Sequence, residues 1–98
     1  MKTIGNKITN LLAGEHKLTY VDLIRICVNT KIDGFSTDEM RKRIRILDKL
    51  DIPSPDGNIN FEDADFETLK LCIKKMRWDV IHKDIIAFED YIDSLKGE

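Results

Sequence analysis

The stretch that decides the fold is LTYVDL at residues 18–23, because it carries the signals of a helix start. Thr19 can cap a helix by accepting a hydrogen bond from a free backbone N–H, and Asp22 then lies at the positive end of the helix dipole. Leu18 and Leu23 flank the cap as an apolar staple. The same pattern recurs as FSTDEM at 35–40 and, more weakly, as FEDADF at 61–66. The sequence therefore predicts several short helices that pack together.

Each helix start is followed by apolar residues at helical spacing. The first predicted helix of this kind runs from Thr19 to about Asn29, the second from Ser36 to about Leu50, and the third from Asp63 to Met76. A C-terminal helix, for which Asp79 is a candidate cap, is predicted by the spacing of Ile81, Ile85, Phe88, Ile92 and Leu95. An N-terminal helix ending before Gly14 is predicted by Ile4, Ile8, Leu11 and Leu12.

The predicted fold class is therefore all-α: a compact array of four to five short helices, with residues 1–98 forming a single helical domain. At most a minimal two-residue β-bridge is expected, near Ile32 and Ile59, because Ile59-Asn60-Phe61 alternates. In the helix that starts at Ser36, the apolar face expected to be buried consists of Met40, Ile44 and Leu47, with Ile46 and Leu50 on its flank.

Composition limits the class of protein. With 42% hydrophobic and 35% charged residues, the 98-residue chain is neither disordered nor membrane-embedded in character. Its net charge of −2 provides no general attraction to nucleic acid or anionic lipid, and no apolar run approaches the roughly 20 residues that cross a bilayer. Cys27 and Cys72 lie in apolar stretches and are expected to be reduced core thiols. We therefore expect a cytoplasmic protein with no membrane contact.

The strongest functional candidate is the basic helix at 36–50. Arg41, Lys42, Arg45 and Lys49 occupy an arc of roughly 100° on one side of it. Like charges four residues apart repel each other, which suggests a negatively charged partner outside the helix. Trp78 beside Arg77 is a candidate interface anchor, because aromatic residues and Arg are enriched at binding hot spots. The predicted function is that of a small non-enzymatic adaptor or regulator that binds a protein partner, with a composition typical of accessory proteins of phages and bacteria.

Two other functions use the same helix. A DNA-binding regulator of degenerate winged-helix or helix-turn-helix type would insert residues 36–50 into the major groove, although the would-be wing at 54–63 has no Lys or Arg. A self-association module would instead dock the acidic C-terminal helix, with Glu89, Asp90 and Asp93, against the basic helix of another copy. A salt-dependent affinity for DNA and a concentration-dependent mass would distinguish these alternatives.

No chemistry-bearing motif accompanies these features, so we expect no cofactor, no metal and no enzymatic activity. The loop around Gly57 resembles a calcium loop only superficially, because Ile52 occupies the position of the first carboxylate ligand. His16 and His82 are not spaced with other ligands as a metal site requires. No nucleophile signature or phosphate-binding glycine run is present.

Overall fold

The computed structural model describes residues 2–31, 33–52 and 57–95. The strands are β1 (Lys2–Gly5), β2 (Ile8–Ala13), β3 (His16–Thr19) and β4 (Asn58–Phe61). The helices are α1 (Tyr20–Asn29), α2 (Thr37–Leu50), α3 (Asp63–Lys75) and α4 (Lys83–Ser94). Their order is β1-β2-β3-α1-α2-β4-α3-α4, with 55% of the described residues helical and 20% in strands. The prediction of an all-α fold is therefore wrong: this is a mixed α/β fold with two antiparallel sheets of two strands each.

The N-terminal segment forms strands where a helix was predicted. Only Ile4 and Leu11 of its four periodic apolar residues are buried, whereas Ile8 and Leu12 are exposed. β2 and β3 form an antiparallel hairpin in which Ala13 pairs with His16, and Gly14 begins the two-residue turn with a φ of 65° that favours glycine. The apolar spacing fitted a helix by coincidence, because it spans two separate strands.

A buried threonine side chain stabilises an irregularity in this hairpin. The register of β2 against β3 shifts between Ile8 and Leu12. Within the shift, the hydroxyl of Thr9 donates to the carbonyl of Leu18 at 2.7 Å and accepts from the amide of Leu11 at 3.1 Å. These bonds satisfy backbone groups that the interrupted ladder leaves without strand partners.

The second sheet joins the beginning of the chain to its middle. β1 pairs with β4 in antiparallel register, with Ile4 opposite Ile59 and Lys2 opposite Phe61. The predicted strand at Ile59 is therefore present, but its partner is β1. Ile32, the partner predicted from the sequence, lies outside the described residues.

The predicted starts of the central helices are confirmed. Thr19 and Asp22 form a complete capping box at α1, and the Ser36 hydroxyl accepts from the Glu39 amide at the start of α2. Glu62 occupies the N-cap position of α3 without a side-chain cap bond. α4 begins later than predicted, because the cap is His82, whose side chain accepts from the Asp84 amide, and not Asp79.

The buried apolar side chains form one cluster to which both sheets and all four helices contribute. Its most completely buried members include Ile4 and Phe61 from β1 and β4, Leu23 from α1, Phe66 from α3 and Phe88 from α4. Tyr91 of α4 links the cluster to β1, because its hydroxyl accepts from the Gly5 amide at 2.9 Å.

The prediction of the inward face of α2 is wrong for Met40 and Ile44, whereas Leu47 packs half-buried against the core. The buried residues of this helix are Arg43, Ile46 and Leu50, whereas Met40 and Ile44 are 44% and 52% exposed. The helix is rotated because the Arg43 guanidinium has partners inside the fold: it donates to the carbonyl of Val28 at 2.8 Å and to that of Cys27 at 3.3 Å. Those carbonyls belong to the last turn of α1, which has no basic residue of its own.

Candidate functional site: a basic groove between α2 and α3

α2 and α3 pack against each other in opposite directions. Arg45, in the C-terminal half of α2, pairs with Asp65 near the start of α3. Glu39, near the start of α2, lies close to Lys75 at the end of α3. The outer side of this pair forms a shallow groove around Lys42, Thr68, Leu71 and Lys75, and the helical spacing of α2 places Arg45 and Lys49 farther along the same face. We call this surface the basic groove. On α2 the spacing of three and four residues keeps the three cations on one face.

A pocket of about 190 Å³ opens at one end of the basic groove. Its lining combines four cations with a single carboxylate, a hydroxyl, an aliphatic side chain and a thiol: Lys31, Lys42, Arg43, Lys75, Glu39, Thr68, Leu71 and Cys72. The local charge is therefore positive although the whole chain carries −2. A pocket of this composition attracts carboxylates and other anionic groups.

Glu39 neutralises only part of this charge. Its carboxylate accepts a hydrogen bond from the Lys31 ammonium and lies 3.6 Å from the Arg43 guanidinium. The hydrogen bond from Lys31 lowers the pKa of Glu39, and the charges of Lys31, Arg43 and Lys75 lower it further. Glu39 is therefore ionised at neutral pH. Its carboxylate is hydrogen-bonded to Lys31, and its contact with Arg43 is longer than its contact with Lys31.

Lys42 and Lys75 are exposed, and neither side chain has an ion-pair or hydrogen-bond partner in the part of the chain that the structure describes. Leu71, beside them in the pocket lining, is 58% exposed. Two free ammonium groups next to an uncovered aliphatic side chain form a surface that is both cationic and apolar. Such a surface matches a partner that presents acidic and apolar side chains together.

The buried groups beneath the pocket are structural in character. Arg43 is held by the carbonyls at the end of α1 and stacks over the Phe35 ring at 4.8 Å. Burial raises the pKa of the Cys72 thiol, and burial together with the neighbouring Cys72 raises the pKa of Cys27 to about 12. Both thiols are protonated near neutral pH, which disfavours a nucleophilic role.

The structure separates the residues that the sequence grouped into one partner-binding surface. Lys42 and Lys49 lie on the basic groove without counter-charges among the described residues, and Arg45 lies there paired with Asp65 at 3.1 Å. Arg41 pairs with Asp38 at 3.1 Å and does not line the pocket. The sequence analysis missed Lys75 and Leu71, which come from a different helix. The available signal was Leu71, an apolar residue off the buried face of α3.

Trp78 lies away from the basic groove, in the connection between α3 and α4. It is half-buried and lines a separate, largely apolar groove of about 690 Å³ beside the β2–β3 hairpin, together with Leu11, Leu12 and Val80. This placement gives Trp78 a packing contact with the core, and it leaves the proposed role as an interface anchor a prediction.

The acidic residues of α4 have a partner within the chain. Lys74 of α3 lies 3.1 Å from Asp93 and 3.7 Å from Glu89, and its bond to Asp93 raises the pKa of Lys74. Two of the three acids that the self-association prediction assigned to another copy are thus engaged locally. Asp90 is exposed.

Across residues 2–31, 33–52 and 57–95, no three His, Cys, Asp or Glu side chains are grouped as a metal ion would require. Over the same residues, none of the helices has the length and apolar character needed to cross a membrane. Comparison with known proteins found no family model, no curated protein and no solved structure that matches this chain.

Proposed function

We propose that this chain is a small non-catalytic adaptor or regulator that binds an acidic, partly apolar segment of a protein partner in the basic groove. The proposal rests on one observation: the ammonium groups of Lys42 and Lys75, which have no partner among the described residues, lie beside the uncovered side chain of Leu71. A carboxylate of the partner replaces water at the lysines, and an apolar side chain covers Leu71.

A protein partner is favoured over nucleic acid by the mixture of groups. Phosphate backbones are recognised by a continuous array of cations, whereas the basic groove contains an exposed leucine, and two carboxylates, Glu39 and Asp65, border it. The predicted winged-helix order also lacks support, because β4 pairs with the N-terminal β1.

We also propose that the protein is located in the cytoplasm. Cys27 and Cys72 are free thiols buried in the core, which is the state that a reducing compartment maintains. Their burial is compatible with long-lived reduced thiols, because the reactive thiolate form is suppressed.

The test uses two probes. The acidic and apolar probe is a synthetic helical peptide in which turns of Glu alternate with turns of Leu, and the competing probe is a duplex DNA of similar charge. Binding is measured by fluorescence anisotropy for the wild type, for Lys42→Glu/Lys75→Glu and for the matched control Lys17→Glu/Lys83→Glu, whose lysines are exposed and lie outside the groove. We expect the groove variant to lose at least about tenfold in peptide affinity, which corresponds to about 1.4 kcal/mol. The control should retain the wild-type affinity.

Two outcomes contradict the proposal. Equal peptide binding by the wild type and the groove variant removes the assigned surface. Tighter binding to DNA than to peptide, with a log–log salt slope that falls by about one for each lysine replaced, assigns the groove to phosphate recognition. Leu71→Ser supplies the apolar arm of the test, because it should weaken the peptide complex while leaving any DNA complex unchanged.

A further inference from the structure

Two residues of the apolar stripe on α2 that was predicted to be buried, Met40 and Ile44, are uncovered, while the third, Leu47, packs half-buried against the core. Met40, Ile44 and Leu47 follow one another at spacings of four and three residues, and Met40 and Ile44 are about half exposed. This stripe lies beside the inward face of Arg43, Ile46 and Leu50, so the fold covers that inward face and the Leu47 side of the stripe, and it leaves Met40 and Ile44 open. A helix with a second apolar stripe at regular spacing is typical of a helix that packs against another helix.

A cavity of about 130 Å³ opens beside the stripe. Met40, Ile44 and Leu47 form one wall, and Phe35 with Val28 of α1 contributes to the other. A cavity of about 150 Å³ holds a benzene-sized group, so this cavity has room for one aliphatic side chain from a facing helix. The side chains of the stripe therefore form a ridge, and the cavity beside them forms a groove, which are the two features that pack against each other when helices meet.

The charges along the edge of the stripe are self-complementary. Arg41 and Asp48 are seven residues apart, so they lie on the same line of the helix, about 10 Å from each other. Asp48 is exposed and has no partner among the described residues, and Arg41 is held only by an exposed pair with Asp38. Exposed pairs of that kind contribute little, so Arg41 is available to a better-placed carboxylate.

We propose that α2 forms the interface of a homodimer, packed antiparallel against α2 of a second copy. A two-fold axis at the level of Ile44 places Ile44 beside its equivalent and Met40 within one residue, about 1.5 Å along the helix, of the level of Leu47 in the other copy. The same axis brings Arg41 of each copy to Asp48 of the other, so that one symmetry operation satisfies both the apolar stripe and its charged edge. An unrelated antiparallel helix would need a carboxylate opposite Arg41 and a cation opposite Asp48, whereas a second copy of α2 already has both.

This dimer is independent of the proposed function, because Lys42 lies on the opposite side of α2 from the stripe, and Leu71 and Lys75 belong to α3. Its interface is small beside the roughly 800 Å² per partner of stable complexes, so the dimer is a weak one that dissociates on dilution.

Sedimentation equilibrium from about 1 µM to about 1 mM protein tests the proposal across the range of weak association. We expect the wild type to dimerise and Ile44→Asp to raise the dissociation constant at least tenfold. Met40→Gln gives a milder second perturbation of the stripe in the same direction. Ile81→Asp is the matched control, because Ile81 is fully exposed in the α3–α4 connection and its replacement should leave the dissociation constant unchanged.

The charge pair and the symmetry are tested separately. Arg41→Asp and Asp48→Arg should each weaken the dimer, since each creates like-charge contacts at both ends of the interface, and the double exchange should restore it. Under mild oxidation, an Ile44→Cys variant should form an interchain disulfide across the axis, whereas Ile81→Cys should not. A monomer at every concentration, an unaffected dimer in Ile44→Asp, or failure of the double exchange to restore association would overturn the antiparallel dimer.

Discussion

Replacing Arg43 by Met should destabilise the protein far more than replacing any other cation of α2. The side chain of Arg43 is 11% exposed, and its guanidinium donates to the Val28 and Cys27 carbonyls at 2.8 and 3.3 Å. Those carbonyls end α1 and have no replacement donor from that helix. Met preserves most of the aliphatic volume, so the Arg43→Met variant removes the guanidinium, with its hydrogen bonds and its contacts with Phe35 and Glu39, without leaving a large cavity.

The expected cost follows from these two bonds. A hydrogen bond from a charged donor contributes about 1.5–3 kcal/mol, and the 3.3 Å bond belongs at the lower end of that range. Loss of the cation–aromatic contact with Phe35 adds about 0.5–1 kcal/mol. Release from burying a charge offsets part of the sum, which leaves a destabilisation of about 3 kcal/mol. For a protein of this size that is a large fraction of the 5–15 kcal/mol typical of folded domains and lowers Tm by more than about 10 °C.

The assay is urea unfolding followed by circular dichroism and by the fluorescence of Trp78. Lys42→Met is the matched control, because Lys42 is the preceding residue and is exposed with no partner in the described part of the chain; its effect should stay within about 0.5 kcal/mol. Hydrogen exchange should also show faster exchange at the end of α1 in the Arg43 variant. A loss below about 1 kcal/mol, or a loss equal to that of the control, would refute this account of why α2 is rotated.

Three further predictions concern the strand, the thiols and the carboxylate beside the pocket. Tyr91→Phe removes the acceptor of the Gly5 amide and should cost about 1 kcal/mol, with faster exchange of that amide; unchanged exchange would show that the 2.9 Å bond is not formed in solution. Burial raises the pKa of Cys27 to about 12 and also raises that of Cys72, so a thiol reagent at pH 8 should label the protein rapidly only in urea. The free energy of unfolding should fall as the pH rises above about 9, where only the thiols of the unfolded chain ionise. Rapid labelling of the native protein would contradict this. The pKa of Glu39, measured by carbon NMR, should lie below its ordinary 4.5 and return towards that value in Lys31→Met. The stabilisation from this pair is therefore present above pH 4.5 and is lost as the pH falls through the lowered pKa. An unchanged titration of Glu39 in the variant would refute the role of Lys31.

The helix starts were predictable because capping is a local interaction. Thr19 and Asp22 need only each other and the backbone between them, and the structure contains the predicted capping box. The N-terminal strands were not predictable in the same way, since β1 is defined by its pairing with β4, more than fifty residues away. Nothing in the spacing of Ile4 and Ile8 distinguishes a broken pair of strands from one amphipathic helix.

The candidate site was predictable only in part, for a related reason. Lys42 and Lys49 follow from the pattern of α2 alone, but Lys75 reaches the same groove through the packing of α3. The rotation of α2 was hidden because sequence patterns treat Arg as an outward residue. They cannot register that the end of α1 supplies carbonyl acceptors that make a buried Arg43 favourable.

The pairing of β1 with β4 also sets the order in which the polypeptide can fold during its synthesis. Ile4 is synthesised before Ile59 and can pair with it only after fifty-five further residues have been added, which takes roughly 3–11 s at ordinary elongation rates. Until then β1 has no β4 to pair with, and the side chain of Ile4 is exposed to chaperones and to other nascent chains. A slowly translated codon placed between α2 and β4 should therefore lengthen this exposed interval, whereas one placed after α4 should not.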